Sequence, residues 1–390
     1  MATRLLLIIP TLDRCGAEKQ LTLLATGLPR DRFDVHVCAL TRGGPLLEPL
    51  QAHGIPVTII GKSWKFDPAA YWRLRRHIRH LAPDIVHTWI FAANAYGRWA
   101  AFSAGVPHVL AGERCVDPWK HWYELALDRR LAKRTQRILT NSSGVREFYV
   151  HHGLPAEKFV VIPNGISPPA TASGETRVQL LAELGLPANA RLIGAVNRLW
   201  PQKRIKDLIW AADLLKCIRD DVHLLIVGDG PQRWRLEEYR DQVEIADRVH
   251  FLGERPDVPR LLPHLDCLWL GSEYEGQSNA IMEAMAVGIP VVATDIPGNR
   301  DLVVPDVTGY LVPVGDRAAF ARWTNLLLED RELARRLGTA AQERMLTEFS
   351  VENMVSRHAA LYEQVLGDEK GRESFLATSS DSRSDSATGD

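Results

Sequence analysis

The sequence predicts an α/β protein built from two doubly wound parallel sheets, one in each half of the chain. Its 390 residues exceed what a single hydrophobic core comfortably serves. Short apolar runs alternate with longer amphipathic segments, and this series occurs twice. A stretch rich in Pro, Gly, Ser and Thr, "NGISPPATASGET" at 164–176, separates the two series. Two domains joined by a linker are therefore expected.

The first half contains seven apolar runs with the length of strands. They cover 4–9, 34–40, 56–60, 84–89, 108–113, 137–142 and 158–163. The stretches predicted to be helical between most of them are 17–27, 69–81, 93–104, 119–134 and 143–151. Because strands that alternate with helices form parallel sheets covered on both faces, residues 1–166 are predicted to form the N-terminal domain.

The second half repeats this scheme. Its candidate strands are 191–199, 222–230, 248–253, 266–272, 290–294 and 310–313. We therefore assign 167–190 to a linker and lead-in helix and 191–349 to the C-terminal domain. A helix is expected at 350–366, where either domain could hold it. Residues 367–390 carry six serines and few large apolar groups, which predicts a disordered tail.

Several protein classes are disfavoured by the bulk properties. The apolar run Leu5 to Ile9 is shorter than the apolar region of a signal peptide or a membrane span. The five cysteines are scattered without a Cys-x-x-Cys, so neither a disulfide framework nor a zinc site is expected, and a cytoplasmic location is favoured. The net charge of −1 conceals an asymmetry. Residues 1–169 hold 22 Lys and Arg against 13 Asp and Glu, and residues 170–390 hold 25 against 35.

Three loops that follow strands could bind an anion, because ligands of open parallel sheets sit at the carboxyl ends of the strands. Gly16 precedes a helix start, where backbone amides can approach an anion, although a plain turn would look the same. Arg198 ends a strand and Lys203 lies at a helix start, where the helix dipole disfavours a cation without a bound anion. Gly228 also follows a strand, but Arg233 replaces the third glycine of a dinucleotide fingerprint.

The fourth candidate is "SEYEGQSNAIMEAMAVGIP" at 272–290, which contains two glutamates eight positions apart. A buried strand precedes it, Glu275 and Gly276 lie in the turn, and Ser278 or Asn279 can cap the following helix. The amides of the cap could hold a phosphate. Glu275 and Glu283 could accept hydrogen bonds from sugar hydroxyls on either side of it. This pairing suits a nucleotide-sugar.

Together, these ordered motifs resemble the retaining glycosyltransferases of family four, which have the GT-B fold. The motifs are the two spaced glutamates with "EAMAVGIPVVATD", "RLWPQKRIKDLI", "LLIVGDGP", "IPNGI" and the N-terminal "GAE", and the resemblance covers about 4–350. It implies two Rossmann-like domains facing each other across a cleft, with the acceptor on the N-terminal side. It also implies a nucleotide-sugar donor, retention of the anomeric configuration and no obligatory metal or cofactor. The absence of an Asp-x-Asp motif agrees with the last point.

The resemblance also implies roles for individual residues. Arg198 and Lys203 would neutralise the donor diphosphate, and Glu283 would bind the ribose. Glu275 would hold hydroxyls of the transferred sugar, and His87 would face the reaction centre. The donor-site residues are then Gly16, Arg198, Lys203, Gly228, Glu275, Gly276, Ser278, Asn279 and Glu283, with no metal ligand among them.

Four positions depart from the family pattern. Cys15 replaces the first glycine of a usual pair, and Arg204 stands where glycine is common. Gln277 replaces a frequent phenylalanine, and Asp301 a frequent glutamate. These differences leave the identity of the donor open.

The resulting expectation is a cytoplasmic enzyme that moves a sugar from a UDP- or GDP-sugar to a glycan or a lipid-linked acceptor. The segment 119–137 mixes Trp and Tyr with Lys and Arg, which favours peripheral contact with anionic lipid at the inner face of the membrane. Nucleic acid is not expected as a partner. The alternatives are a sugar-nucleotide epimerase of the same fold and a non-catalytic nucleotide-sugar scaffold. A nicotinamide dehydrogenase is disfavoured by the missing third glycine.

Overall fold

The thirteen apolar runs all form strands in the computed structural model, which describes residues 2–167 and 176–381. The described residues form two sheets, and every strand pair in them is parallel. Most of these strands are hydrophobic along their whole length because helices cover both faces of each sheet.

The first sheet has seven strands in the order β3-β2-β1-β4-β5-β6-β7. They are β1 (Thr3–Ile9), β2 (Phe33–Ala39), β3 (Val57–Ile59), β4 (Ile85–Trp89), β5 (His108–Glu113), β6 (Arg137–Thr140) and β7 (Phe159–Val161). β1 lies inside the sheet between β2 and β4, and its residues from Leu5 to Ile9 are completely buried. The order reverses between β1 and β4, which is where open sheets of this type bind ligands.

Six helices connect the strands of the first sheet. They are α1 (Gly16–Gly27), α2 (Leu47–Ala52), α3 (Pro68–Leu81), α4 (Ile90–Ala104), α5 (Trp122–Ala132) and α6 (Ser143–His151). In α3 the Asp67 side chain accepts from Ala70 N–H at 2.9 Å, and Leu74 and Ile78 are fully buried. This agrees with a helix that packs on the sheet.

The second sheet has six strands in the order β10-β9-β8-β11-β12-β13. They are β8 (Arg191–Val196), β9 (Val222–Val227), β10 (Val249–Gly253), β11 (Cys267–Leu270), β12 (Val291–Thr294) and β13 (Gly309–Val312). Its helices are α7 (Arg177–Glu183), α8 (Ile205–Lys216), α9 (Arg233–Gln242), α10 (Val258–Leu261), α11 (Asn279–Ala286), α12 (Pro297–Arg300), α13 (Arg317–Glu329) and α14 (Arg331–Glu348). Of the expected linker and lead-in helix at 167–190, residues 168–175 lie outside the described residues.

The last helix, α15 (Val351–Asp381), returns to the first sheet. Met354, Val355 and Tyr362 are buried in the same core as the odd-numbered residues of β1. The helix therefore serves the N-terminal domain. It continues past the expected end at 366 to Asp381. Of the expected disordered tail, 382–390 lies outside the described residues.

Hydrogen bonds between the domains hold the carboxyl ends of the two sheets face to face. Asp301 follows α12 and accepts from both N–H and Oγ of Ser143, at the start of α6, at 2.8 Å each. The Asn164 N–H donates to Gln277 Oε1 at 2.7 Å. Two of the four departures from the family pattern, Gln277 and Asp301, therefore join the domains.

Candidate functional site

A cleft of about 630 Å³ lies between the two sheets. The loops that follow β1, β4, β5, β8 and β11 form its walls, as expected for parallel sheets. Seven of the ten residues singled out from the sequence line it. They are Gly16, Arg198, Lys203, Glu275, Gly276, Ser278 and Asn279.

The loop between β8 and α8 brings two cations to the C-terminal wall of the cleft. Arg198 is exposed, with its guanidinium 5.7 Å from the centre of the Trp200 ring. Lys203 ends a short 3-10 turn and is followed by Arg204 with φ +50°. Glycine adopts this left-handed conformation without a steric penalty, which explains why it is common there. Arg204 donates to Asp207 at 2.7 Å.

Glu275 is held at the cleft by two donors. Lys203 Nζ forms an ion pair with its carboxylate, and Ser272 Oγ donates to the same oxygen at 2.7 Å. Glu275 as a whole is only 9% exposed. Losing one partner of an ion pair this deeply placed would leave a poorly solvated charge. The structure thus joins two of the predicted donor residues directly.

The turn after β11 places the amino end of α11 in the cleft. Ser278 caps this helix by accepting from Ile281 N–H at 3.4 Å. Asn279 Oδ1 accepts from Asn164 Nδ2 at 3.0 Å, across the domain interface. A Cβ on Gly276 would lie 2.1 Å from the backbone oxygen of Arg114, so any larger residue would push the domains apart.

The first loop of the N-terminal domain faces this turn. Gly16 begins α1, and Cys15 offers no side-chain cap to its amides. A Cβ on Gly16 would lie 3.3 Å from Asn279 Nδ2. Glu18, in the first helical turn, also lines the cleft. Burial raises the pKa of Glu18, and Asp13 adds to this effect.

Three predicted residues, Gly228, Glu283 and His87, lie outside the cleft lining. Gly228 has φ +127°, and a Cβ there would lie 1.9 Å from the carbonyl oxygen of Asn197. This glycine is therefore required for two loops to pack together. Glu283 lies further along α11, where its carboxylate pairs with Lys19 of α1.

His87 does not face the cleft, contrary to the expectation. It is completely buried in β4, and its Nδ1 shares a hydrogen bond of 2.8 Å with Tyr362 OH of α15. Burial holds the pKa of His87 well below its usual value, with help from His358 and Arg114. Both faces of this strand are covered by helices, so a residue near its end points into a core on either side.

The cleft also contains charged residues that the sequence interpretation missed. Glu113, Arg114 and Asp117 line it at the end of β5. The rule that ligands sit beyond strand ends, applied to "HVLAGERCVD", would have found them. Arg114 is 7% exposed, and its guanidinium lies 4.1 Å from the centre of the Trp89 ring.

A buried charge network lies behind Glu113 and Asp117. Lys120 Nζ is 2.9 Å from Asp128, 3.5 Å from Asp117 and 3.7 Å from Glu113. Tyr149 OH is within 2.7 Å of Asp117 and 3.1 Å of Glu113. Burial raises the pKa of Glu113 to about 7, and Lys120 opposes the shift. Partners on the protein thus satisfy these carboxylates.

No cluster of three or more His, Cys, Asp or Glu within residues 2–167 and 176–381 could hold a metal ion. No helix in the described part of the chain combines the length and apolarity needed to cross a bilayer.

Two family descriptions match most of the chain. Residues 15–168 match "Glycosyltransferase Family 4". Residues 177–344 match "Glycosyl transferases group 1". The first match ends and the second begins in the part of the sequence between the last strand of the first sheet and the first strand of the second sheet.

Several characterised proteins are similar to this chain. A GDP-mannose-dependent alpha-mannosyltransferase of Mycolicibacterium smegmatis is 31% identical over 69% of this chain and 70% of its own length. A UDP-Gal:alpha-D-GlcNAc-diphosphoundecaprenol alpha-1,3-galactosyltransferase of Escherichia coli is 28% identical over 86% and 90%. An N-acetyl-alpha-D-glucosaminyl L-malate synthase of Bacillus anthracis is 34% identical over 49% of this chain and half of that protein.

The fold is also that of a solved structure, Anabaena Alr3699/HepE in complex with UDP and glucose. The TM-score is 0.84 at 25% identity, over 93% of this chain and all of that one. Its complex with UDP-glucose gives a TM-score of 0.83 at 26% identity. The two facing sheets are therefore a GT-B fold.

Proposed function

We propose a retaining reaction for this chain, which belongs to the glycosyl transferases group 1 and is a glycosyltransferase that uses sugar nucleotides. Its N-terminal half matches glycosyltransferase family 4. The sugar would move from a UDP- or GDP-sugar to a hydroxyl of a glycan or a lipid-linked acceptor. The observation that carries this proposal is the Lys203–Glu275 ion pair beside Arg198 and the amino end of α11.

The leaving group of this reaction is a nucleoside diphosphate, which gains negative charge as the glycosidic bond breaks. Arg198 and Lys203 are cations placed to neutralise that charge, and the free amides at the start of α11 add to it. The diphosphate then accepts the proton of the incoming hydroxyl on the same face of the sugar. No protein nucleophile is required for this front-face route.

The two glutamates of 272–290 hold different parts of the donor in this proposal. Glu275 lines the cleft and accepts hydrogen bonds from hydroxyls of the transferred sugar. Glu283 accepts from the ribose, and Lys19 would then share or release its carboxylate. We name both UDP and GDP because one similar protein uses UDP-Gal and another uses GDP-mannose.

A thermal-shift screen of the full chain against UDP, GDP and ADP and their sugars tests this proposal. A ligand at 100 times its dissociation constant should stabilise the protein by about 2.7 kcal/mol. Conversion of a donor with no acceptor into its epimer would instead identify an epimerase. Binding without any turnover would identify a scaffold.

Peripheral membrane contact of the N-terminal domain is the second part of the proposal. Trp64 and Phe66 are 74% and 86% exposed in the loop before α3, and Trp122 is 78% exposed at the start of α5. Lys65 Nζ in this loop lies 3.4 Å from Glu124 Oε1 in the first turn of α5, so the loop and the helix start are neighbours. We call this group, with Trp119 and Tyr123, the aromatic surface. Indole and phenyl rings beside cations bind the interface of anionic bilayers.

The aromatic surface also reaches the cleft. Trp119 lines the cleft, and its ring centre is 5.8 Å from that of Phe91, another lining residue. A lipid-linked acceptor held in a membrane could therefore present its sugar to the cleft directly. This geometry supports a cytoplasmic enzyme that works at the inner face of the membrane.

Liposome flotation tests the membrane contact. Wild type should bind vesicles containing anionic lipid, and salt should weaken the binding. The double substitution W64S/F66S should reduce it strongly. W234S, which removes an exposed tryptophan of the C-terminal domain, is the matched control and should not. Equal binding of both variants, or no binding of wild type, would contradict the proposal.

A further inference from the structure

Arg114 is a buried cation without a counter-ion. Its Nε and Nη2 atoms have no hydrogen-bond partner, and no carboxylate of the described residues pairs with it. Burial lowers the pKa of Arg114 to about 9. Burying an unpaired charge costs several kcal/mol, and native proteins rarely leave guanidinium donors unsatisfied. Such a group calls for an anion that binds from outside the protein.

The amino end of α4 lines the same cleft as Arg114. Trp89 precedes this helix and provides no side-chain cap, so the first amides of α4 have no side-chain acceptor. Trp89 Nε1 also lacks a partner, and the Arg114 guanidinium packs over the Trp89 ring. Ile90, the first residue of α4, lines the cleft with φ +58°. A β-branched residue rarely adopts this conformation, and such strain is typical of functional sites.

The neighbouring carboxylates do not occupy this place. Glu113 precedes Arg114 at the end of β5, so its side chain points to the opposite face of the sheet, toward Tyr149 and Lys120. Glu18 lies near Thr11 and Arg198. Asp117 accepts from Tyr149 OH and pairs with Lys120. The donors around Arg114 therefore remain free for a ligand.

The position relative to Glu275 indicates which ligand this is. The backbone of Arg114 packs against Gly276, the residue after Glu275. Arg114 and Glu275 also line the same cleft, so an anion at Arg114 would share it with the sugar that Glu275 holds. The proposed diphosphate ligands Arg198 and Lys203 belong to the opposite wall, so the donor does not require Arg114.

We propose that Arg114 and the amino end of α4 form a second anion site, which binds a phosphate or carboxylate carried by the acceptor. The substrate class is then a hydroxyl compound with an anionic group near the accepting hydroxyl, either a phosphate-linked glycan or an acid. This inference rests on the proposed function, because it takes the opposite wall as the donor site.

The test uses the full-length wild type, R114Q, R114K and R130Q. Arg130 is an exposed arginine of α5 and serves as the matched control. Each protein is first titrated with UDP by calorimetry and then, saturated with UDP, with inorganic pyrophosphate and with malonate. The UDP blocks the donor's own diphosphate site. Pyrophosphate and malonate separate the phosphate class from the carboxylate class.

Wild type should bind one of these anions saturably. R114Q should bind it roughly ten- to a hundredfold more weakly, as expected for loss of a charged hydrogen bond, and R114K should recover part of this loss. UDP affinity should be unchanged in all four proteins. Without added ligand, R114Q should melt no lower than wild type, since it removes an unpaired buried charge.

Three results would overturn the inference. Equal anion binding by wild type and R114Q would place the anion elsewhere. A matching loss of UDP affinity in R114Q would assign Arg114 to the donor. Absence of anion binding by wild type, with a lower melting temperature of R114Q, would mark Arg114 as structural and solvated by bound water. Failure of the proposed function would be separate, because wild type would then bind no nucleotide at all.

Discussion

Replacing Glu275 by glutamine separates catalysis from donor binding. The substitution removes the charge from the ion pair with Lys203 but keeps an oxygen that can accept from Ser272 Oγ. The paired side chains are 10% and 14% exposed. Breaking a fully buried pair costs ~3–5 kcal/mol. Lys203 lines the open cleft, so we expect a smaller loss of ~1–2 kcal/mol in the free energy of unfolding.

The kinetic effect of this substitution should be larger than the structural one. Glu275 would contact the sugar whose anomeric carbon becomes positive in the transition state, so its charge matters most there. Losing a charged hydrogen bond of about 1.5–3 kcal/mol should lower kcat roughly ten- to a hundredfold. UDP affinity should stay unchanged or rise, because Lys203 loses the carboxylate that competes with phosphate.

The assay is kcat and donor KM for Glu275→Gln, with UDP affinity by calorimetry and folding checked by melting temperature. Glu283→Gln is the matched control, since it also removes one acid from an ion pair, here with Lys19. It should raise donor KM and weaken UDP binding with little change in kcat. The same losses in both variants, or a fall in UDP affinity equal to the fall in kcat for Glu275→Gln, would refute the reasoning.

Three further predictions concern metal, pH and strain. Donor turnover should survive EDTA, and activity that needs added manganese would contradict this expectation. R198A should weaken UDP binding roughly tenfold or more, because it removes a cation that binds the diphosphate. Burial lowers the pKa of His358 to about 3 and holds that of His87 well below its usual value. Below pH 6.5 only the unfolded chain protonates these histidines. Each of the two should therefore lower the free energy of unfolding by about 1.4 kcal/mol for every unit by which the pH falls. In chemical denaturation H358Q should reduce this slope, and an unchanged slope would contradict it. I90G should raise the melting temperature by relieving the left-handed strain, whereas I90V should not.

The strands could be predicted because each is a short apolar run, and helix layers on both faces of the sheet bury most of them. Among the helices of the first half, α2 was not predicted, because it has only six residues, contains Pro49 and has too few turns to show a periodic pattern. The partner of α15 could not be predicted either. Its buried Met354 and Tyr362 show an apolar face, but sequence alone does not say which sheet covers that face.

The candidate site was predictable where a residue follows a strand and has chemistry of its own. Arg198, Lys203 and Glu275 meet both conditions, and all three line the cleft. His87 meets the first, but both faces of its strand are buried, so its position does not reveal a direction. The pairing of Glu283 with Lys19 joins residues 264 positions apart, which only the packing of the two domains reveals.

The central claim is that the anomeric configuration of the sugar is retained when the donor is cleaved. The most direct test is proton NMR of the sugar that the enzyme releases from a UDP- or GDP-α-sugar that it binds. Slow hydrolysis by the full-length enzyme needs no knowledge of the acceptor. The first sugar to appear, before it equilibrates in water, should be the α anomer, and E275Q should release it more slowly. A β anomer as the first product would contradict the front-face mechanism. Turnover unaffected by E275Q would contradict the proposed site.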